Sequence, residues 1–159
     1  MSSLLITMVR PNLEDLPAVC IADGYVLKTA ADFGDPVPVW IEAINNSFED
    51  TNWTSEYIHA EFMDKQQYDP AGVYFVMHGD TPVSTAFAWI DDPDEQVMGR
   101  VHFVGTRPKH RGKGLARGTV SAVLHRLRER GLQKAMLGTH PFRLPAISVY
   151  LKLGFEPAP

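Results

Sequence analysis

Thr106-Arg107-Pro108-Lys109-His110-Arg111-Gly112-Lys113-Gly114-Leu115-Ala116 is the stretch on which the reading of this chain turns. It follows an apolar run, Val97 to Thr106, that reads as a strand. It precedes a segment in which Val120, Val123, Leu124 and Leu127 recur at helical spacing. The stretch is therefore a loop joining a strand to the start of a helix. Unpaired N–H groups at a helix start, with the helix dipole behind them, attract an anion. Gly112 and Gly114 let the backbone bend freely and approach a ligand closely. Arg107, Lys109, Arg111, Lys113 and Arg117 concentrate positive charge in a chain whose formal net charge is −4. These features predict a phosphate site, and they equally suit a basic surface loop that caps a helix. A Walker loop is excluded, because Gly-x-x-x-x-Gly-Lys-Ser/Thr does not occur here. The dinucleotide fingerprint matches only through Gly112 and Gly114, with Arg117 where its third glycine belongs.

Working outward, the other elements fall into order. Residues 1–23, punctuated by Pro11 and Pro17, read as an N-terminal arm or a short strand, and residues 24–159 as one domain. Tyr25 to Thr29 reads as a strand. Asp35 is a candidate cap for a helix starting at Pro36, with Trp40, Ala43, Ile44, Ser47 and Phe48 on its inner side. Asn52 or Thr54 opens a second helix carrying Trp53, Tyr57, Ile58 and Phe62. Two strands, Val73 to His78 and Pro82 to Ile90, meet at a Gly79-Asp80 turn, and Asp91-Asp92-Pro93-Asp94 turns into the strand before the loop. In the helix after the loop, Arg117, Arg126, Arg128 and Arg130 are expected to face outward, and Gly131 ends it. Lys134 to Thr139 is a further strand and Pro145 begins a last helix that stops at Gly154. The order predicts an α+β fold with one mixed sheet, and the crossover after Thr106 makes its flanking strands parallel.

The bulk numbers narrow the function classes. With 159 residues, 45% apolar and 21% charged, the chain suits one domain with a sizeable core. Net acidity argues against nucleic acid as a partner. No apolar run approaches the length of a membrane helix, and the start of the chain does not read as a signal peptide. One cysteine, Cys20, forms no intrachain disulfide and no cysteine zinc framework, which suits a reducing, cytoplasmic setting. The six histidines show no metal-ligand spacing, so no metal is expected.

Arg111-Gly112-Lys113-Gly114-Leu115-Ala116 resembles the Arg/Gln-x-x-Gly-x-Gly/Ala signature of the GNAT (GCN5-related N-acetyltransferase) superfamily. Pro108 stands where that family often has proline. A second stretch, Ala146-Ile147-Ser148-Val149-Tyr150-Leu151-Lys152-Leu153-Gly154-Phe155, is similar to the family's Ala-x-x-x-Tyr-x-x-x-Gly-Phe. Gly24-Tyr25, and Trp40 with Phe48, fit as well, so the resemblance covers residues 24–156. It implies a mixed, mostly antiparallel sheet flanked by about four helices. It also implies acetyl-CoA or a related acyl-CoA as co-substrate, with an amine on a small molecule or peptide as acceptor. On that resemblance the strand ending at Thr106 splays from the strand around Leu137, and the pantetheine arm pairs with the main chain of Val104 and Thr106. Backbone amides of Arg111, Gly112, Lys113, Gly114, Leu115 and Ala116 cradle the pyrophosphate, and Tyr150 stands at the general-acid position. His102, Glu49 and Asp50 are candidate bases. Trp53, Tyr57 and Phe62 are either core or the wall of an acceptor groove.

The chain departs from the family pattern twice. Arg143 stands where the family often has asparagine. After Gly154-Phe155 only a stub remains, short of the usual C-terminal hairpin, so a bare sheet edge, or one covered in a homodimer, is expected. The alternative to an enzyme is a catalytically silent acyl-CoA-binding module or sensor.

Overall fold

The computed structural model describes residues 5–159, which form β1 (Ile6–Arg10), β2 (Val26–Thr29), α1 (Val37–Ser47), α2 (Ser55–Ile58, continued by a π-helical turn His59–Met63), β3 (Val73–His78), β4 (Thr81–Trp89), β5 (Met98–Thr106), α3 (Leu115–Glu129), β6 (Lys134–Thr139), α4 (Leu144–Lys152) and β7 (Glu156–Pro157). The strands make one sheet in the order β2-β3-β4-β5-β6-β1-β7. Every neighbouring pair is antiparallel except β5 and β6, which the α3 crossover makes parallel. This is the mixed, mostly antiparallel α+β sheet that the element order implies.

The strand β4 shows why helices cover both faces. Its residues are buried almost without interruption, as a central strand requires. Ala86 and Ala88 point into the core under α3 and α4. Phe87 and Trp89 point the other way, against Trp40, Ile44, Ile58 and Phe62 of α1 and α2. Small residues on one face and large ones on the other set how closely each helix layer approaches.

Local chemistry sets the helix ends. The Asp35 carboxylate accepts from the Val37 N–H at 3.1 Å, one residue from the predicted start. The Thr54 hydroxyl accepts from Tyr57 N–H at 3.2 Å and opens α2. Phe48 ends α1 rather than continuing it. Two of the expectations on α3 fail: Arg126 and Arg130 do not face outward, and Arg130 brings Nη1 to 3.6 Å from an Asp69 carboxylate oxygen. Arg126 makes the closer pair. Its guanidinium donates to both carboxylate oxygens of Asp69, at 2.8 and 2.9 Å, and so ties α3 to the turn before β3. The apolar spacing of a helix does not reveal an acid 57 residues away.

Ile6–Arg10 answers the question of the sheet edge. β1 pairs along its whole length with β6, from Ile6 opposite Thr139 to Arg10 opposite Ala135. The stub after α4 then adds β7 to the far side of β1. The chain's own β1 therefore covers the outer side of β6, and the sheet ends on this side at β1 and the two-residue β7. Arg10 reinforces the arrangement, because its Nε donates to the Leu153 carbonyl at 2.9 Å and satisfies a group left open at the end of α4.

The helix α3 seats against the 17–22 segment through Gly118. A Cβ there would lie 2.6 Å from the Cys20 main-chain oxygen and 2.5 Å from Ile21 Cδ1. Alanine in a helix interior ordinarily gains about 1 kcal/mol over glycine. Here overpacking against a main-chain oxygen outweighs that gain, so Gly118→Ala should lose roughly 1–3 kcal/mol. Thermal unfolding is the check; an unchanged or higher Tm would contradict this packing.

Candidate functional site

The β5–β6 ladder runs only through Met98–Lys134, Gly99–Ala135 and Arg100–Met136 and then stops. β5 goes on pairing with β4 as far as Ser84 opposite Thr106, with a register shift between Thr85 and Phe87. Near that irregularity Phe103 has φ +50, in the left-handed region that a bulky residue seldom enters. Its ring is gripped by Trp53 at 4.7 Å, Phe87 at 5.5 Å and Phe62 at 5.9 Å between centroids. Beyond Arg100, then, the main chain of β5 has no strand partner on its β6 side, and an opening separates the two strands.

Two clefts occupy that opening. The first, about 260 Å³, is lined by Val104, Thr106, Arg111, Gly112, Gly114, Leu115, Ala116 and Tyr150, with His110 and Arg143 beside them. The structure thus brings Tyr150 together with every residue expected to hold the cofactor except Lys113, which lines a neighbouring hollow between residues 17–22 and α3. The second cleft, about 280 Å³, lies on the other side, between Phe48, His102 and Phe103 and the end of β6. Val104, Arg143 and Tyr150 line both.

The glycine loop has the geometry its residues suggest. Gly112 and Gly114 have φ +78 and +74, and a Cβ on either would meet nothing within 4 Å, so backbone conformation rather than crowding requires glycine. Gly114 opens α3 with no side-chain cap, leaving the first amides of the helix free for an anion. The loop's charge is smaller than the sequence suggests. Arg107 turns away, pairs with Glu42 on α1 and donates to the Pro82 carbonyl. Arg111 folds back so that its Nε donates to the Thr106 carbonyl at 3.1 Å.

Tyr150 is buried, and burial raises its phenol above the ordinary value of 10, while the nearby Arg143 guanidinium pulls the other way. His102 is pushed down to about 4, by burial first and by Arg100 second, so it is neutral at pH 7. Arg100 itself is neutralised by two hydrogen bonds to Asp91, at 2.7 and 2.8 Å. Glu49 and Asp50 line neither cleft; they flank a separate hollow with Pro108 and Arg111. Phe62 is core, Trp53 supports Phe103 from behind, and Tyr57 is exposed, so none of the three lines the second cleft. Of the walls that do, Phe48 was marked in the sequence only by its place beside Trp40 in the resemblance, and Phe103 only by being apolar. Gly105 is an exception in hindsight: a Cβ there would strike the Phe48 ring at 2.6 Å. Among the described residues no group of three or more His, Cys, Asp or Glu is arranged to hold a metal, and no helix is long and apolar enough to cross a membrane.

The sequence profile of the acetyltransferase (GNAT) family matches residues 40–155, and with them both clefts' shared residues. The chain belongs to that family. Among GNAT relatives, it is 34% identical over 150 residues to a mycothiol acetyltransferase of Nocardia farcinica, an alignment covering 90% of this chain and 49% of the relative. It is 33% identical over 159 residues to that of Thermomonospora curvata, covering 96% and 51%. The chain spans about half the length of these curated relatives. Solved structures share the fold. A GCN5-related N-acetyltransferase from Sphaerobacter thermophilus superposes with a TM-score of 0.79 at 21% identity, over 97% of this chain and 48% of that one. A tandem GNAT protein from the clavulanic acid biosynthesis pathway gives 0.65 at 16% identity, over 98% and 51%.

The depressed His102 value fixes a direction for stability against pH. An unfolded histidine takes up a proton near pH 6.5, whereas the folded one does so only near 4. The unfolded state binds more protons in between, so stability is full above about 6.5 and falls as pH drops towards 4, by roughly 3 kcal/mol at most. His102→Gln should flatten that part of the profile. Denaturant midpoints at pH 7 and pH 5 measure it; an equal loss in both proteins would contradict the burial of this ring.

Proposed function

We propose that this chain transfers the acetyl group of acetyl-CoA directly to an amine acceptor, with both bound at once. The observation that carries the reading is the meeting of two clefts at Val104, Arg143 and Tyr150. One cleft ends in a helix N-terminus shaped for a phosphate, and the other opens on the opposite side of the sheet. Residues 24–159 form the acyl-CoA domain, with Ile6–Arg10 completing its sheet, and a cytoplasmic setting agrees with the single, exposed thiol of Cys20.

The residues present fit acetyl-CoA. Free amides from Gly112 to Ala116 would hold the pyrophosphate, whereas the Arg111 amide, also expected to do so, donates to the Pro108 carbonyl at 3.4 Å; the unladdered main chain of Val104 and Thr106 would hydrogen-bond the amides of the pantetheine arm. When bound, acetyl-CoA supplies an acetyl group already activated as a thioester. The β5 main chain near Val104 orients the carbonyl and opposes charge developing on its oxygen. Tyr150 holds a proton at Oη for the departing sulfur, and burial keeps that proton in place at neutral pH. None of the three candidate bases suits the role: His102 is too weakly basic at about 4, and Glu49 and Asp50 stand outside the cleft. Water, or His140 on the wall of the second cleft, takes the proton of the acceptor amine.

Gly112→Val and Gly114→Val should each weaken acetyl-CoA binding by about tenfold or more, through backbone strain at positive φ. Lys113→Ala should cost far less. Calorimetric titration with acetyl-CoA compares them, and equal affinities in all three would remove the backbone cradle. Tyr150→Phe should lower kcat by about 10²–10⁴ with little change in acetyl-CoA affinity. Thiol release measures it; an unchanged kcat would rule out the acid role.

A further inference from the structure

Three titratable rings meet beside the glycine loop, and neither the fold nor the reaction has yet used them. Tyr25 comes from the turn before β2, His78 from the end of β3, and His110 from the single 3₁₀ turn, Pro108–His110, that precedes Arg111. The Tyr25 hydroxyl lies 2.8 Å from His110 Nδ1. Ring centroids stand 5.1 Å apart for Tyr25 and His78, 5.1 Å for His78 and His110, and 5.7 Å for Tyr25 and His110. Of the three, His110 alone lines the first cleft, beside Arg111, Gly112 and Gly114.

The contact with Tyr25 decides what the imidazole offers a ligand. With Nδ1 against the phenol, Nε2 is the nitrogen left over, and among the described residues no protein group hydrogen-bonds it. A phenol is a better hydrogen-bond donor than a neutral imidazole N–H. Nδ1 therefore accepts, which assigns the neutral ring's hydrogen to Nε2. Protonation at Nδ1 keeps the contact, because the phenol oxygen can then accept instead. The ring thus takes up a proton without losing its anchor, and it presents Nε2–H in either state.

Its surroundings set when it does so. His110 faces His78 from β3 and Tyr25 from the turn before β2, with Lys113, Arg107 and Lys109 on its own loop. Burial first, and then His78 and these cations, hold its imidazole below the ordinary value, so it is largely neutral at pH 7. A phosphate in the cleft opposes that field and favours the imidazolium. A pyrophosphate diester has no proton of its own to give near neutrality, so the proton comes from solvent.

We propose that His110 is a side-chain ligand for a phosphate of acetyl-CoA, anchored at Nδ1 by Tyr25 so that Nε2–H donates to a phosphate oxygen, and that its imidazole takes up a proton from solvent on binding. This rests on the acetyl-transfer reading above. The sign of the pH dependence follows. The bound state holds the proton more tightly than the free one, so affinity is greatest at low pH and is lost as pH rises through the bound-state value.

Calorimetric titration with acetyl-CoA at pH 7, in two buffers of unlike ionisation enthalpy, counts the protons taken up. The chain should take up about a third of a proton or more. His110→Gln should take up none, and should weaken binding by about tenfold at pH 6.5 and by less at pH 8.5. His78→Gln leaves the ligand in place and should keep the uptake. Tyr25→Phe should weaken binding by about threefold and also keep it. Acetyl-dephospho-CoA tells the phosphates apart: the same uptake places the contact on the pyrophosphate, and lost uptake places it on the 3′-phosphate. Binding without proton uptake, equal uptake in His110→Gln, or uptake that disappears with His78→Gln and survives His110→Gln would overturn the proposal. So would a loss of affinity in His110→Gln that is the same at both pH values, since a purely structural role predicts it. Unchanged affinity in Tyr25→Phe would overturn the anchoring. Absence of acetyl-CoA binding at every pH would overturn the acetyl-transfer reading beneath it as well.

Discussion

The parting of β5 from β6 after Arg100 and Met136 is the constraint on which the site depends. Two neighbouring parallel strands do not separate cheaply, because each leaves main-chain groups without partners. This chain limits that cost by holding each strand from its other side. β5 stays paired with β4 up to Thr106, and β6 stays paired with β1 from Ala135 to Thr139. The opening is thus a gap between two supported strands. β1 lies far from the site in sequence, yet it props one wall of it. The positive φ of Phe103 belongs to the same arrangement, since it turns β5 locally and is kept in place by the rings packed around it.

The second requirement is that the N-terminus of α3 point into the gap, and packing along the helix decides this. Gly118 admits the Cys20 carbonyl, Gly99 of β5 admits Leu127, and Ala86 and Ala88 give the helix a shallow bed on β4. The Arg126–Asp69 pair then fixes the helix along its length relative to the turn before β3. That pair is partly screened from water and made by two parallel hydrogen bonds, so it has directional value that a looser surface pair lacks. The free amides after Gly114 inherit their aim from these contacts.

Charge at the site differs from charge in the loop. Arg107 and Arg126 are ion-paired with Glu42 and Asp69, while Arg111 keeps its charge and donates Nε to the Thr106 carbonyl. Where the two clefts meet, the cation without a carboxylate partner among the described residues is Arg143, which sits outside the basic loop, before α4. Around it, Tyr150 keeps its proton and His102 goes without one, both because burial disfavours the charged form. Where the two clefts meet, one guanidinium therefore stands beside a phenol that keeps its proton.

Much of this was legible in the chain itself. Helical spacing, turn residues and the Gly112–Gly114 loop determined the elements, the parallel crossover and the glycine-led start of α3, because those depend on neighbours in sequence. Tyr150, singled out by its motif, lies buried where the two clefts meet. What only the tertiary structure decided depends on partners distant in the chain. Residues 1–23 read as arm or strand until β6 offered Ile6–Arg10 an edge to pair with. Arg126 read as solvent-facing until Asp69 met it, and Arg143 read only as a departure until the fold set it between two clefts. His102 read as a candidate base until burial removed its basicity. Periodicity and turn chemistry are local and can be read along the chain, whereas ion pairing, desolvation and the sharing of one residue by two clefts exist only when separate segments come together.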